Sequence, residues 1–258
     1  MVYTVFIDLD DTLLNREKKI SDYTLEALRR FQMLGNNIVF ATARSKQLHG
    51  LQECLKTITP HLIFHNGGEI VSNGKTIFQG YFSKEETERI GRYLTVKQIK
   101  AAVILDDAYY ANYDAPAIWG QIRNYAYTSF EIAEFQAPKF SLLLEDESQE
   151  AALDALNDQA RITLIDNHTG AILAPKNVSK GAAVRIMLDR MFPESKSIFI
   201  GNDYNDLSGF AQCDIKVAVA NAEPGLLDQA DVIIGSNNDN GVARFLHDLC
   251  GDEKRYSR

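Results

Sequence analysis

Two clusters of acidic residues, each set directly behind an apolar run, constrain this chain more than any other feature. The first, Asp8-Leu9-Asp10-Asp11, follows residues 2–7, VYTVFI. The second, Asn202-Asp203-Tyr204-Asn205-Asp206, follows residues 197–200, SIFI, and Gly201. A run of β-branched and aromatic residues without polar alternation reads as a strand buried on both faces, the kind found inside parallel sheets covered by helices. In such open sheets ligands bind at the carboxyl ends of the strands. Asp is also common in turns and before helices. Two carboxylate clusters on strand ends, however, are expensive to desolvate unless a divalent cation or a lysine neutralises them.

The flanking sequence extends this pattern. A helix is expected over about 21–34, with Ala27, Leu28, Phe31 and Leu34 on one face, Ser21 as N-cap and Gly35 as stop. Residues 37–42 read as a second buried strand, a helix from Ser45 to about Leu55 follows, and 61–64 form a third strand. The order strand, helix, strand, helix, strand implies right-handed parallel βαβ units. Asn73-Gly74 between two strand-like stretches marks a hairpin. The texture then changes. Helices are expected at 84–94, 116–125 and 148–158, and strands at 101–105, 109–113, 139–144 and 161–165, without the Gly-rich turns of a parallel core. From about residue 171 the first texture returns: strands at 171–174, 197–200, 215–219 and 231–234, helices at 180–191, 204–211 and 241–249, and a polar tail. The expected fold class is therefore α/β, a doubly wound parallel-sheet core (residues 1–79 and 171–258) with an inserted α+β domain (80–170).

Composition narrows the function classes. The 258 residues carry 27 Lys and Arg against 35 Asp and Glu, a formal charge of −8. That argues against nucleic-acid binding, which needs a basic face for the phosphate backbone. It does not exclude a small phosphate, because one local cation outweighs net charge. No segment has the apolar length of a membrane span, and the N-terminal stretch lacks the basic start of a signal peptide. Cys54, Cys213 and Cys250 are an odd, scattered set, so reduced thiols and a cytoplasmic location are expected.

Two further residues complete the chemistry. Thr42 ends the second strand, where its hydroxyl can meet a phosphate oxygen. Lys180 opens a helix, where a positive charge is unfavourable to the helix dipole and asks for another purpose. The order Asp-x-Asp, Thr, Lys, Gly-Asn-Asp-x-Asn-Asp, each after an apolar strand, resembles the haloacid dehalogenase superfamily, in its Cof-type sugar-phosphate phosphatase branch. His65-Asn66-Gly67-Gly68, Val178-Ser179-Lys180-Gly181, Asn221-Ala222 and Asn238 to Ala243 extend the resemblance, and the insertion has the length and place of that family's α/β cap.

The resemblance implies hydrolysis of small phosphorylated metabolites, such as sugar phosphates, with Mg²⁺ as cofactor. It assigns Asp8 as nucleophile and Asp10 as acid and base. Phosphate would be held by Asp11, Thr42, Ala43 and Lys180. The metal would be held by Asp8 and Asp10 with Asn202, Asp203 or Asp206. Substrate contacts would come from Arg44, Asn66, Gly67 and Asn205. A phosphomutase or a weakened phosphate-binding protein shares these elements. The chain departs from the family pattern at Asn202, which stands where motif four usually has Asp. A neutral residue there weakens a metal site, and the sequence leaves open whether Asn202, Asp203 or Asp206 completes it.

Overall fold

The computed structural model describes residues 1–46, 51–106, 108–166 and 168–251. The chain begins with β1 (Tyr3–Ile7), α1 (Asp22–Met33), β2 (Asn37–Ala41), α2 (Gln52–Lys56), β3 (His61–Phe64), β4 (Glu69–Ser72) and β5 (Lys75–Gln79). It continues with α3 (Lys84–Val96), β6 (Lys100–Ile104), β7 (Tyr109–Ala111), α4 (Ala115–Trp119), β8 (Tyr125–Tyr127), β9 (Phe140–Leu143), α5 (Glu147–Ala152), β10 (Arg161–Ile165) and β11 (Gly170–Ala174). It closes with α6 (Lys180–Met191), β12 (Lys196–Gly201), α7 (Leu207–Phe210), β13 (Ile215–Val219), α8 (Pro224–Leu227), β14 (Val232–Ile234) and α9 (Gly241–Gly251).

One sheet runs β14-β13-β12-β1-β2-β3-β4-β5. Its first six strands are parallel, and β4 and β5 add an antiparallel hairpin. The hairpin turns at Asn73-Gly74, both at positive φ (50° and 74°), as that dipeptide favours. From β1 the chain winds outward through β2 and β3, then returns to β12 on β1's other side. The gap between β1 and β12 is thus a topological switch point, where such sheets bind ligands. Both strands are buried, and Phe6, Ile7, Phe199 and Ile200 lie in the core beneath this edge. Ser21 caps α1 by accepting from the Thr24 N–H, as its position suggests.

The second sheet runs β10-β11-β9-β6-β7-β8 and has its own core, including Phe82, Ile90, Phe130, Phe140 and Leu173. Residues 171–174, expected to reopen the parallel core, pair antiparallel with β9 and β10 instead. The strand is apolar because the second core covers it, and burial alone does not tell a parallel from an antiparallel neighbour. The helix expected over 116–125 stops at Trp119, where Gly120 turns the chain at φ 78°, and Tyr125–Tyr127 becomes strand β8 beside β7. Of the helix expected from Ser45, α2 covers Gln52–Lys56, and residues 47–50 lie outside the described residues, as does the tail beyond 251. The three cysteines are free thiols, and burial pushes the Cys213 thiol up to about 12. Among the described residues no helix is long and apolar enough to cross a membrane.

Candidate active site

Asp8 continues β1 by one residue. Its backbone N–H donates to the Ile200 carbonyl of β12 at 3.0 Å, so the carboxylate is tied to two strands of the switch point. The next five residues, Leu9–Leu13, coil into a tight turn closed by Leu14 N–H donating to the Leu9 carbonyl. Leu9, Leu13 and Leu14 anchor it in the core. Inside the turn Asp10 is extended (φ −70°, ψ 126°) and Asp11 is left-handed (φ 56°), a conformation Asp tolerates better than most residues.

Lys180 lies across from Asp8. Ser179 caps α6 by accepting from the Ala182 N–H, which makes Lys180 the first helical residue. Gly67, at φ +101°, lets the His65–Gly67 turn press against that cap: a Cβ there would stand 2.1 Å from the Ser179 carbonyl oxygen. Lys180 is 1% exposed, and its Nζ donates to Asp8 Oδ1 and Asp206 Oδ1, both at 2.6 Å. The unfavourable dipole is thereby offset by two buried carboxylates, which push the lysine above its ordinary range against the effect of burial. The trio still carries one negative charge more than positive. Burial pushes the Asp8 carboxyl up to about 7, although the Lys180 charge pulls the other way.

Asp206 is spent on architecture. It is wholly buried, its Oδ1 takes Lys180, and its Oδ2 accepts from the Asn202 and Asp203 N–H groups at 2.9 and 3.2 Å. Gly201 makes room for it, since a Cβ there would lie 2.5 Å from the Asp206 carboxyl carbon. Of the three alternatives for the metal, Asp206 is the one whose two oxygens both take hydrogen bonds inside the fold. Asn202 and Asp203 remain at the cavity wall. Burial raises the Asp203 carboxyl to about 6, while its Oδ1 accepts from the Tyr204 N–H.

The Asn202 amide tests whether a cation fits. Its inner atom lies 2.8 Å from Thr12 Oγ1, 3.3 Å from Asp8 Oδ2 and 3.0 Å from the Asp10 carbonyl oxygen. With nitrogen inward, the amide donates to all three. With oxygen inward, it accepts from Thr12 and faces two further oxygens that offer it no proton. Asp8 Oδ2, the Asp10 carbonyl and Asn202 Oδ1 then form an all-oxygen set of the kind a hard divalent cation takes. Among the described residues no three His, Cys, Asp or Glu gather to hold an ion, and the chemistry of this oxygen set fits a hard cation such as Mg²⁺.

The other expected residues divide. Thr42 is buried, its hydroxyl oxygen accepts from the Arg44 N–H at 3.1 Å, and its proton has no acceptor among the described residues. Ala43 and Asp11 line the cavity. The Asp11 carboxylate is half exposed and held by Lys18, leaving its backbone N–H as the group suited to an anion. Arg44 differs from expectation. Rather than standing free for substrate, its Nε and Nη2 clamp the two Asp10 oxygens at 2.7 and 2.6 Å. Burial raises the Asp10 carboxyl, but the Arg44 hydrogen bonds and the Arg44 and Lys18 charges outweigh it and hold the group below its usual range. Asn205 links Asn66, 3.2 Å away, to Lys180, 3.5 Å away. Asn66 and Gly67 are buried parts of this frame and are not among the residues lining the cavity.

The cavity has a volume of about 170 Å³ and lies between the two sheets. Its far wall is Ile165, Asp166 and Ile172, from the β10–β11 hairpin of the second sheet. Sequence reasoning missed these three, and also Lys18. The polar turn Asp166 to Gly170 between two strands was the available signal for the hairpin.

The site is thus a buried carboxylate at the switch point of a parallel sheet, paired with a buried lysine. The chain belongs to the haloacid dehalogenase-like hydrolases, whose family model matches residues 5–246, and its motifs are those of the Cof-type phosphatases in it. It is 42% identical over 100 residues to a phosphoglycolate phosphatase of Sulfurisphaera tokodaii, a match covering 39% of this chain and 43% of that one. It is 26% identical to the 5-amino-6-(5-phospho-D-ribitylamino)uracil phosphatase YwtE of Bacillus subtilis, over 95% of this chain and 97% of that one. The structure of the subclass IIB sugar phosphatase BT4131 superposes with a TM-score of 0.82 at 18% identity, covering 97% of this chain and 99% of that one. At that identity the likeness speaks for the fold.

Proposed function

We propose that this enzyme is a Mg²⁺-dependent phosphatase of small phosphorylated metabolites and that it works through an aspartyl-phosphate on Asp8. The observation that carries this reading is the Asp8 carboxylate itself. One oxygen is fixed by Lys180 at 2.6 Å, and the other lies 3.3 Å from the Asn202 amide, which also faces the Asp10 carbonyl. Two relatives and one structural neighbour are phosphatases of a phosphoglycolate, a phosphorylated ribitylaminouracil and a sugar phosphate, which supports a small phosphorylated metabolite as substrate.

The chain's own residues then have distinct tasks. Asp8 attacks phosphorus, so an Asp8 O–P bond forms as the ester P–O bond breaks. Lys180 holds Asp8 in place and offsets charge on the transferring oxygens, as do the Thr42 hydroxyl and the backbone N–H groups of the Leu9–Leu13 turn. Asp10, once free of Arg44 and protonated, gives that proton to the leaving alkoxide, and as the resulting carboxylate takes one from the water that cleaves the acyl phosphate, releasing inorganic phosphate. To do so it exchanges Arg44 for substrate. Asp8, the Asp10 carbonyl and Asn202, with Asp203 directly or through water, would hold Mg²⁺. That ion supplies Lewis-acid charge against the carboxylates and the phosphate. The β10–β11 hairpin covers the cavity and limits water.

The test is phosphate release from p-nitrophenyl phosphate, 2-phosphoglycolate and a set of sugar phosphates, with Mg²⁺ and with EDTA. Release that requires Mg²⁺ is expected. Equal release in EDTA contradicts the metal assignment, and no release from any substrate contradicts the phosphatase reading.

A further inference from the structure

The two walls of the cavity differ in how their charges are balanced. At the β1 end each carboxylate has a cation beside it: Lys180 for Asp8, Arg44 for Asp10 and Lys18 for Asp11. The far wall, from the second sheet, is Ile165, Asp166 and Ile172. Asp166 is exposed, and among the described residues its carboxylate takes part in no hydrogen bond or ion pair. Among the described residues no Lys, Arg or His lines the cavity. The far wall therefore offers one unbalanced negative charge between two apolar side chains.

Asp166 is held there by the backbone of its hairpin. Ile165 pairs with Gly170 across the turn. Thr169 donates both its N–H, at 3.1 Å, and its hydroxyl, at 2.7 Å, to the Asp166 carbonyl oxygen. The residue takes φ 51°, which Asp and Asn tolerate better than most. Strand β10 packs against the Tyr204–Asp206 turn of the core, which carries the end of the hairpin to the cavity. The charge is felt across the gap: burial raises the Asp203 carboxyl, and the Asp206 and Asp166 charges add to it.

A phosphate that reacts at Asp8 extends its leaving group into a cavity closed by this wall. A second anion on the leaving group would meet Asp166 with no cation to offset it, and like charges repel strongly where water is scarce. A hydroxyl group there would find a free acceptor. We propose that Asp166 is a specificity-determining residue, which disfavours phosphate esters whose leaving group bears a second anion and favours small uncharged alcohols whose hydroxyl groups donate to its carboxylate. This rests on the phosphatase reading and narrows the substrate class of that site.

The test compares kcat/KM for 2-phosphoglycolate and 2-hydroxyethyl phosphate, which differ by a carboxylate in place of a hydroxymethyl group, in the wild type, Asp166→Asn and Asp166→Glu. The wild type should favour 2-hydroxyethyl phosphate. Asp166→Asn keeps the shape and the left-handed turn but removes the charge. It should move the ratio toward 2-phosphoglycolate by about 3- to 30-fold, the range Coulomb's law gives for one charge several ångströms away in a partly solvated cavity. The shift should shrink as salt is raised. Asp166→Glu should keep the wild-type preference. A wild type that prefers 2-phosphoglycolate, an unchanged ratio in Asp166→Asn, or an equal change on both esters overturns the assignment and leaves the phosphatase reading standing. If the wild type hydrolyses neither ester, the phosphatase reading has failed separately. Asp166 is then judged by calorimetric binding of the two esters. Tighter binding confined to 2-phosphoglycolate in Asp166→Asn supports its role, and an equal change, none, or no binding of either ester overturns it.

Discussion

Lys180 and Asp206 form a wholly buried ion pair, Nζ to Oδ1 at 2.6 Å, and Asp8 completes it on the lysine's other side. The pair links the start of α6 to the loop after β12, and Asp206 also accepts the Asn202 and Asp203 N–H groups. The same lysine that holds the proposed nucleophile therefore also anchors the loop that presents Asn202. Charge at Asp8 and loop geometry are one network here, and a change in either partner should disturb both.

Asp206→Asn tests this. The substitution leaves Lys180 with one carboxylate and turns an amide NH₂ toward N–H donors or toward Nζ. Breaking a buried pair in this way costs about 3–5 kcal/mol. Urea unfolding should show that loss together with reduced turnover. A loss below about 1 kcal/mol would contradict the network.

Asn202→Asp tests the oxygen set around Asp8. The change adds a carboxylate where the amide now faces Asp8 Oδ2 and the Asp10 carbonyl. Affinity for a hard cation rises with ligand charge, so half-saturating Mg²⁺ should fall about tenfold. Titration of activity, or of thermal stability, against Mg²⁺ reads this directly. An unchanged midpoint would remove Asn202 from the metal site.

Stability above neutral pH tests the charge state of Lys139. Its amine is lowered from 10.5 to about 8 in the folded protein. Between those values the unfolded chain holds the proton and the folded one does not, so stability gains with pH across that window. Below about 8 the folded state carries the full cost of the buried charge, about 3 kcal/mol. Lys139→Met should therefore be the more stable protein at pH 7, and the difference should shrink as pH rises from 8 toward 10.5. A difference independent of pH would show that the amine titrates normally.

How far the site could be read from sequence follows from where its residues sit. Asp8, Thr42 and Lys180 stand at strand or helix ends, so apolar periodicity put them at one edge of the expected sheet, and the order of the motifs, through the family resemblance, singled them out. The Asn73-Gly74 hairpin was legible for the same local reason. Asp206 stood beside Asn202 and Asp203 as an alternative for the metal because spacing does not reveal which backbone N–H groups will claim a carboxylate. Arg44 was placed near the site, but its clamp on Asp10 depends on side-chain reach across two loops. Ile165, Asp166 and Ile172 come to the site through the second sheet. Their approach is set by the β9–β11–β10 pairing and by the packing of that sheet against the core, which no short stretch of sequence encodes.

The proposed carrier of the phosphoryl group during turnover is Asp8, and mass analysis of acid-quenched enzyme after mixing with a hydrolysed substrate detects it. In Asp10→Asn, which slows hydrolysis of the acyl phosphate, a phosphoryl group should be found on the peptide containing Asp8. In Asp8→Asn that label should be absent and turnover should fall by at least about 10³-fold with the circular dichroism spectrum retained. Label on another residue, or an Asp8→Asn protein that turns over at the wild-type rate, would contradict the account.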